Sequence, residues 1–180
     1  MFRLVAISAA LLASLPAVAT TITRASLDEL ITKSSTIVRG RITRVYGVRS
    51  GSLVNTQVQV RVLERLKGSE AQQVEVVVPG GVAGGLRQNL PGVPDLVEGA
   101  EHVFFLWTAR SGRILLMGLA QGVLDVGKTA SGETMVTRSA IDARFVDAGS
   151  GQAVDPEAIS LRYSDFAERV RRVLAREVRK

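Results

Sequence analysis

Two features of this 180-residue sequence have residue types and spacing that could do chemistry: a lone histidine and a glycine-rich segment. His102 has the carboxylates of Glu98 and Glu101 close by in sequence. An imidazole beside a carboxylate can act as a general base if a water or hydroxyl is held within hydrogen-bond reach. A hydrolase using His102 and a nearby carboxylate would also need a nucleophile, and no serine here sits in a Gly-x-Ser-x-Gly elbow. The chain has no cysteine, which excludes a thiol nucleophile and disulfides. One histidine excludes a multi-histidine metal site, and no Asp-x-Asp-x-Asp loop offers a calcium cradle. No catalytic, cofactor-binding or metal-ligating residue is therefore assigned, and no cofactor is expected.

The glycine-rich segment runs from Pro79 to Gly99 and holds six glycines and three prolines. Gly80, Gly81, Gly84 and Gly85 give it the outer spacing of a phosphate-binding loop. Leu86 and Arg87, however, stand where that loop needs its lysine and hydroxyl, and no helix pattern follows, so a nucleotide is not the expected ligand. Regular structure is not expected here. Long connections without secondary structure tend to be functional or mobile, which makes this the candidate partner-binding loop, with Arg87 and Gln88 as its polar contacts.

The elements that must position these residues read as mostly β. Ser26 and Glu29 have capping-box spacing and predict a short helix through Leu27, Leu30 and Ile31. From Ser35 the period becomes that of a strand, with Gly40 at a bulge or bend. Val54, Thr56, Val58, Val60 and Val62 alternate with polar residues in a second strand. Gln73 to Val78 reads as a third, antiparallel to the second across a turn at Lys67–Ser69. His102 to Thr108 is apolar on both faces, as in a strand covered on both sides. Arg113 to Leu119 follows, then a hairpin of Gly122–Val126 and Thr134–Thr137. After a flexible break at Ala148–Gln152, Phe166, Val170, Val173, Leu174 and Val178 form one helical stripe, with Ser164 as its predicted N-cap.

The chain ends bracket this β-unit. Met1–Arg3 is a short positive start, Leu4–Leu15 is apolar, and Ala17-Val18-Ala19 has the small-x-small pattern of a signal-peptidase site. Residues 1–19 are thus expected to be a signal peptide, 20–147 a β-barrel domain, and 148–180 a linker with a C-terminal amphipathic helix. The expected product is periplasmic or secreted, soluble and not lipid-anchored. The formal net charge is +6, with Arg169, Arg171, Arg172, Arg176, Arg179 and Lys180 crowded at the C-terminus. That helix is either a solvated cover for the sheet or a contact to an anionic membrane surface. Nucleic-acid binding is disfavoured, because the strands from Leu53 to Pro79 carry no Phe, Trp or Tyr on which bases could stack.

Four short runs carry a resemblance: Thr36-Ile-Val-Arg-Gly-Arg-Ile-Thr-Arg-Val45, Leu66-Lys-Gly68, Val76-Val-Val-Pro-Gly-Gly81 and Gly118-Leu-Ala-Gln-Gly122. Together they resemble a group of uncharacterised exported bacterial proteins. They are also similar in outline to netrin-like modules, the OB-type barrel of tissue inhibitors of metalloproteases. The resemblance implies a small antiparallel OB-like barrel with the habit of a binding module. In the inhibitors the zinc-directed contact depends on an N-terminal cysteine held by disulfides. This chain has no cysteine, so no inhibitory residue carries over. The leading expectation is an exported, non-enzymatic module recognising a protein or cell-envelope component. A protease-inhibitor-like protein and the His102 hydrolase are the alternatives. Export predicts that intact-mass measurement of protein recovered outside the cytoplasm will give a chain starting at Thr20; recovery of the uncut chain would contradict it.

Overall fold

Alternating apolar residues and a two-faced apolar strand make the regular structure of this chain mostly β. The computed structural model describes residues 21–68 and 70–179, so the expected leader at 1–19 lies outside the described residues. Strand β1 (Thr21–Thr23) leads into helix α1 (Leu27–Lys33). The long strands β2 (Thr36–Ser50) and β3 (Leu53–Lys67) are followed by β4 (Gln73–Pro79). Then come β5 (Gly81–Ala83), β6 (Leu86–Gln88), β7 (Glu101–Thr108) and β8 (Ile114–Leu116). A 3-10 turn at Leu119–Gly122 precedes β9 (Val123–Lys128) and β10 (Thr134–Thr137). The short strands β11 (Arg144–Val146), β12 (Ala153–Val154) and β13 (Ser160–Arg162) lead to helix α2 (Tyr163–Glu177).

The main sheet has the order β13-β10-β9-β7-β2-β3-β4-β8, and β8 also pairs with β7. Hydrogen bonding therefore runs from β7 through β2, β3, β4 and β8 and returns to β7. All these pairings are antiparallel except β4 with β8, which is parallel. Gly40 lies at a register shift between β2 and β3. A β-carbon there would sit 2.4 Å from Val60 Cγ1, so only glycine lets the strands approach this closely.

Two cores form on the two faces of β7. Phe104 and Leu106 join Val38, Ile42, Val58, Val60, Val76 and Leu116 inside the run of paired strands. Val103 and Phe105 face the other way, against Leu30 and Ile31 of α1 and Phe166 and Val170 of α2. Helix α1 opens on a capping box: Glu29 N donates to Ser26 Oγ, and Ser26 N donates to Glu29 Oε2. Those bonds hold the Glu29 carboxyl near a pKa of about 2, Ser26 contributing most and Lys33 next.

The structure departs from the expected boundaries in three places. Pro79–Gly99 is not structureless, because β5 and β6 pair as a hairpin across Gly84-Gly85. Helix α2 starts at Tyr163 with Arg162 at its N-cap, so Ser164 lies inside the first turn and is not the cap. Within 148–180, expected as a linker and a C-terminal amphipathic helix, short strands precede the helix. Asp147 Oδ1 accepts from the amides of Gly149 and Ser150 and closes a β11–β12 hairpin, while β13 extends the main sheet beside β10. These strands have two or three residues each, too few for a period to show in the sequence.

Gln121 ties this periphery to the sheets. It is fully buried; Oε1 accepts from Ala25 N at 2.8 Å, and Nε2 donates to Thr23 O at 3.0 Å. Leucine in its place would keep the bulk but take the side-chain partner from the part-buried Ala25 amide and Thr23 carbonyl. Gln121→Leu is expected to lower unfolding free energy by about 2 kcal/mol, from about 1 kcal/mol for each of the two hydrogen bonds lost. Urea denaturation reads this, and an unchanged midpoint would remove the clasp from the account.

Candidate functional site

The glycine segment is pinned across one end of the paired strands. Gly80 N donates to Val54 O, and Thr56 Oγ1 donates to Gly80 O at 2.9 Å. Gln88 Oε1 accepts from Val54 N at 2.7 Å, and its Nε2 donates to Ser52 O at 2.9 Å. Arg49 Nη1 donates to Gly84 O at 3.2 Å. Farther on, Gly92 N donates to Asp142 O, and Gly99 N donates to Ile42 O. Gly47 supplies the contact on the β2 side: a β-carbon there would sit 1.9 Å from Val82 O, so any larger residue would push β5 away.

Between this pinned segment and the strands lies a cleft of about 350 Å³. Val45, Val58, Val78 and Leu96 give it apolar walls, while Asn89 and Asp95 line it with polar groups. The structure brings Gly80, Gly81 and Gln88 to the cleft wall, whereas Arg87 is exposed and Gly84-Gly85 form the turn of the hairpin. Gln88, expected as a partner contact, has its amide engaged with the backbone of Ser52 and Val54. Asn89 and Leu90, which sequence reasoning did not single out, reach the cleft without such bonds.

His102 borders a second cavity of about 250 Å³ that shares the wall Val93-Pro94-Asp95 with the first. Its partner is neither Glu98 nor Glu101. Adjacent residues of a strand point to opposite faces, so Glu101 turns away and binds Arg39 at 2.6 Å and Arg41 at 3.1 Å. Glu98 Oε1 accepts from Val45 N at 2.8 Å. The carboxylate facing His102 is Asp125, its cross-strand neighbour on β9. Nδ1 lies 3.0 Å from Asp125 Oδ1, an ion-pair distance but off the line of an aligned hydrogen bond. Nε2 is buried without a hydrogen-bond partner among the described residues. Burial depresses the imidazole pKa, and the attraction of Asp125 only partly offsets it.

Ser139 Oγ donates to the other Asp125 oxygen. The carboxylate therefore stands between histidine and serine, and no hydroxyl is placed on the imidazole for it to deprotonate. Among the described residues, no group of three His, Cys, Asp or Glu side chains is arranged to hold a metal ion. No helix among them is long and apolar enough to cross a membrane. The apolar stripe of α2, expected either to cover the sheet or to lie on a membrane, is buried through Phe166, Ala167, Val170 and Val173. Arg169 of the same helix pairs with Asp28 of α1 at 2.8 Å. No known family model matches the chain, and no curated protein gives a significant match.

The lone histidine makes its titration unambiguous by NMR. In the folded protein its pKa is expected below the ordinary 6.5, and lower still in Asp125→Asn, which loses the main attraction for the proton. Because the folded value is depressed, the unfolded chain binds the extra proton. Stability attributable to His102 is therefore complete above about 6.5 and declines as pH falls toward the folded value. An Asp125→Asn pKa equal to or above that of the parent protein would remove Asp125 as the partner.

Proposed function

We propose that the protein is an exported, non-enzymatic binding module of OB or netrin-like type. Its ligand, a protein or cell-envelope component, seats in the cleft between the Gly80–Leu96 segment and the strands. The cleft itself carries this reading. It has the size range of a ligand site, apolar walls and few polar groups, and its outer wall is a segment held by several backbone bonds. The pairing order supports the barrel part. β7-β2-β3-β4 follows the Greek-key pattern in which a fourth strand returns beside the first, and β8 bridges β4 and β7 as a fifth. The arrangement of His102, Asp125 and Ser139 gives a hydrolase no activated nucleophile. Export rests on the pattern of residues 1–19.

Asn89 and Leu90 line the cleft without serving the hairpin's own bonds, so they test the reading more cleanly than Gln88. The double variant Asn89→Ala, Leu90→Ala is expected to weaken recovery of an envelope partner by about tenfold, as truncation of two contact residues does at a binding centre. Its thermal melting should stay near that of the parent protein. Undiminished recovery by the folded variant would move the ligand site elsewhere.

A further inference from the structure

The β2–β3 hairpin projects beyond its neighbours. β7 pairs with β2 only as far as Arg41, and β4 pairs with β3 only from Asn55 onward, which leaves the tip from Tyr46 to Val54 outside both pairings. The β5–β6 hairpin lies against this tip, fixed by the Arg49–Gly84 bond, by Gln88 on Ser52 and Val54, and by the close approach at Gly47. The two hairpins therefore pack as one body.

The chemistry of that body is uniform. Val48, Leu53 and Val82 are 39%, 61% and 50% exposed, three of the large apolar side chains that the described residues leave open to solvent. Strand alternation puts Arg49 on the opposite face of the β2–β3 tip from Val48 and Leu53, beside the β5–β6 hairpin that carries Arg87, and both arginines are exposed. Acidic residues are missing from both stretches of sequence that form the tip, Leu30 to Leu63 and Val76 to Pro94. Exposed aliphatic side chains at this end, with two arginines that make no ion pair among the described residues, complement a layer that is anionic at its surface and apolar just beneath.

We propose that the joined tips of the β2–β3 and β5–β6 hairpins dock onto an anionic lipid bilayer, with Leu53, Val82 and Val48 entering the interface and Arg49 and Arg87 meeting lipid phosphates. A bilayer supplies both the anionic layer and the apolar depth that this surface matches. An acidic protein would satisfy the arginines but would need a groove of its own to take the aliphatic side chains. Helix α2 is not the docking element, since its apolar stripe from Phe166 to Val173 is buried against α1 and the sheet, and of the expected stripe only Val178, past the end of the helix, stands open.

Co-sedimentation with vesicles tests this. The purified protein is mixed with vesicles of phosphatidylcholine alone and of phosphatidylcholine with phosphatidylglycerol. Binding is expected only to the anionic vesicles and should weaken as salt is raised. Arg87→Glu, and separately Leu53→Ser with Val82→Ser, should each reduce partitioning by about tenfold or more, while melting as the parent protein does. Arg171→Glu with Arg176→Glu on α2 should leave partitioning within about twofold, because a distant charge is screened from the contact. Three results would each overturn the proposal: no binding to anionic vesicles, unchanged binding by the folded tip variants, or loss confined to the α2 variant. Since Arg87, Leu53 and Val82 do not line the cleft, failure here would leave the cleft reading standing, and failure of the cleft variant would leave this one standing.

Discussion

The structure depends on one strand that buries both of its faces. β7 carries Val103, Phe104, Phe105 and Leu106 in succession, each with essentially no exposure. Such a run stays dry only if cover is supplied on both sides, at about 1.5–3 kcal/mol per large apolar side chain removed from water. One face is covered by the strands that pair around it and the other by α1 and α2. The strand also pairs with β2, β8 and β9, so the two cores and the sheet extension meet on the same eight residues. His102 is buried as a consequence of this crowding: it takes the next place in the run, and its depressed pKa follows from desolvation, which the carboxylates of Asp125 and Glu101 oppose.

The glycine segment shows a different constraint. A chain crossing the end of a strand pair must approach its backbone more closely than side chains allow. Gly80 and Gly81 adopt positive φ angles of 85° and 114°, and a β-carbon at Gly81 would meet Thr56 Oγ1 at 2.2 Å. Glycine here permits a close, fixed crossing rather than motion, because the same stretch is bonded to Val54, Thr56 and Ser52. The cleft beneath is the space left when that crossing stands off from the valines of β2, β3 and β4. Its existence thus follows from backbone packing, and only its polar lining is free to differ without disturbing the strands.

The sequence made the long elements legible and the contacts between them illegible. β3 and β4 show as alternating valines and β2 as Val38, Gly40 and Ile42 alternating with arginines and threonine, because one face of each is buried and the other wet, and the two-faced β7 shows as an unbroken apolar run. The capping box at Ser26 and the bulge at Gly40 rest on local geometry, so residue type alone reveals them. β1 and β11 to β13 are held instead by distant partners. Gln121 reaches Ala25 and Thr23 across nearly a hundred positions, and Arg138 binds the carbonyls of Gln121 and Glu157. No pattern of period two marks such strands. The same limit applies to His102. Glu98 and Glu101 are its neighbours in the chain, but strand alternation turns Glu101 away, and only the β7–β9 register brings Asp125 opposite.

Charge is sorted along the molecule in a way that composition hides. The chain is basic overall, yet its carboxylates are not spread evenly between the arginines. Glu101, Glu64 and Glu157 neutralise arginines of β2 and α2, and Asp95, Asp125 and Asp142 gather at the His102 cavity. Among the described residues none pairs with Arg49 or Arg87 of the arms that reach past the sheet, and Glu75 meets those arms only through the Tyr46 hydroxyl at their base. Arg49 is held by carbonyls: it donates to Gly51 O and Gly84 O, which fix its position without cancelling its charge. A positive field of this kind is screened within about 8 Å at physiological ionic strength, so it acts on a surface in contact rather than at a distance. The folded arrangement therefore leaves an uncompensated cationic end on the rigid hairpins, whereas the more numerous arginines of α2 share a helix with Asp165 and Glu168 and lie beside Asp28.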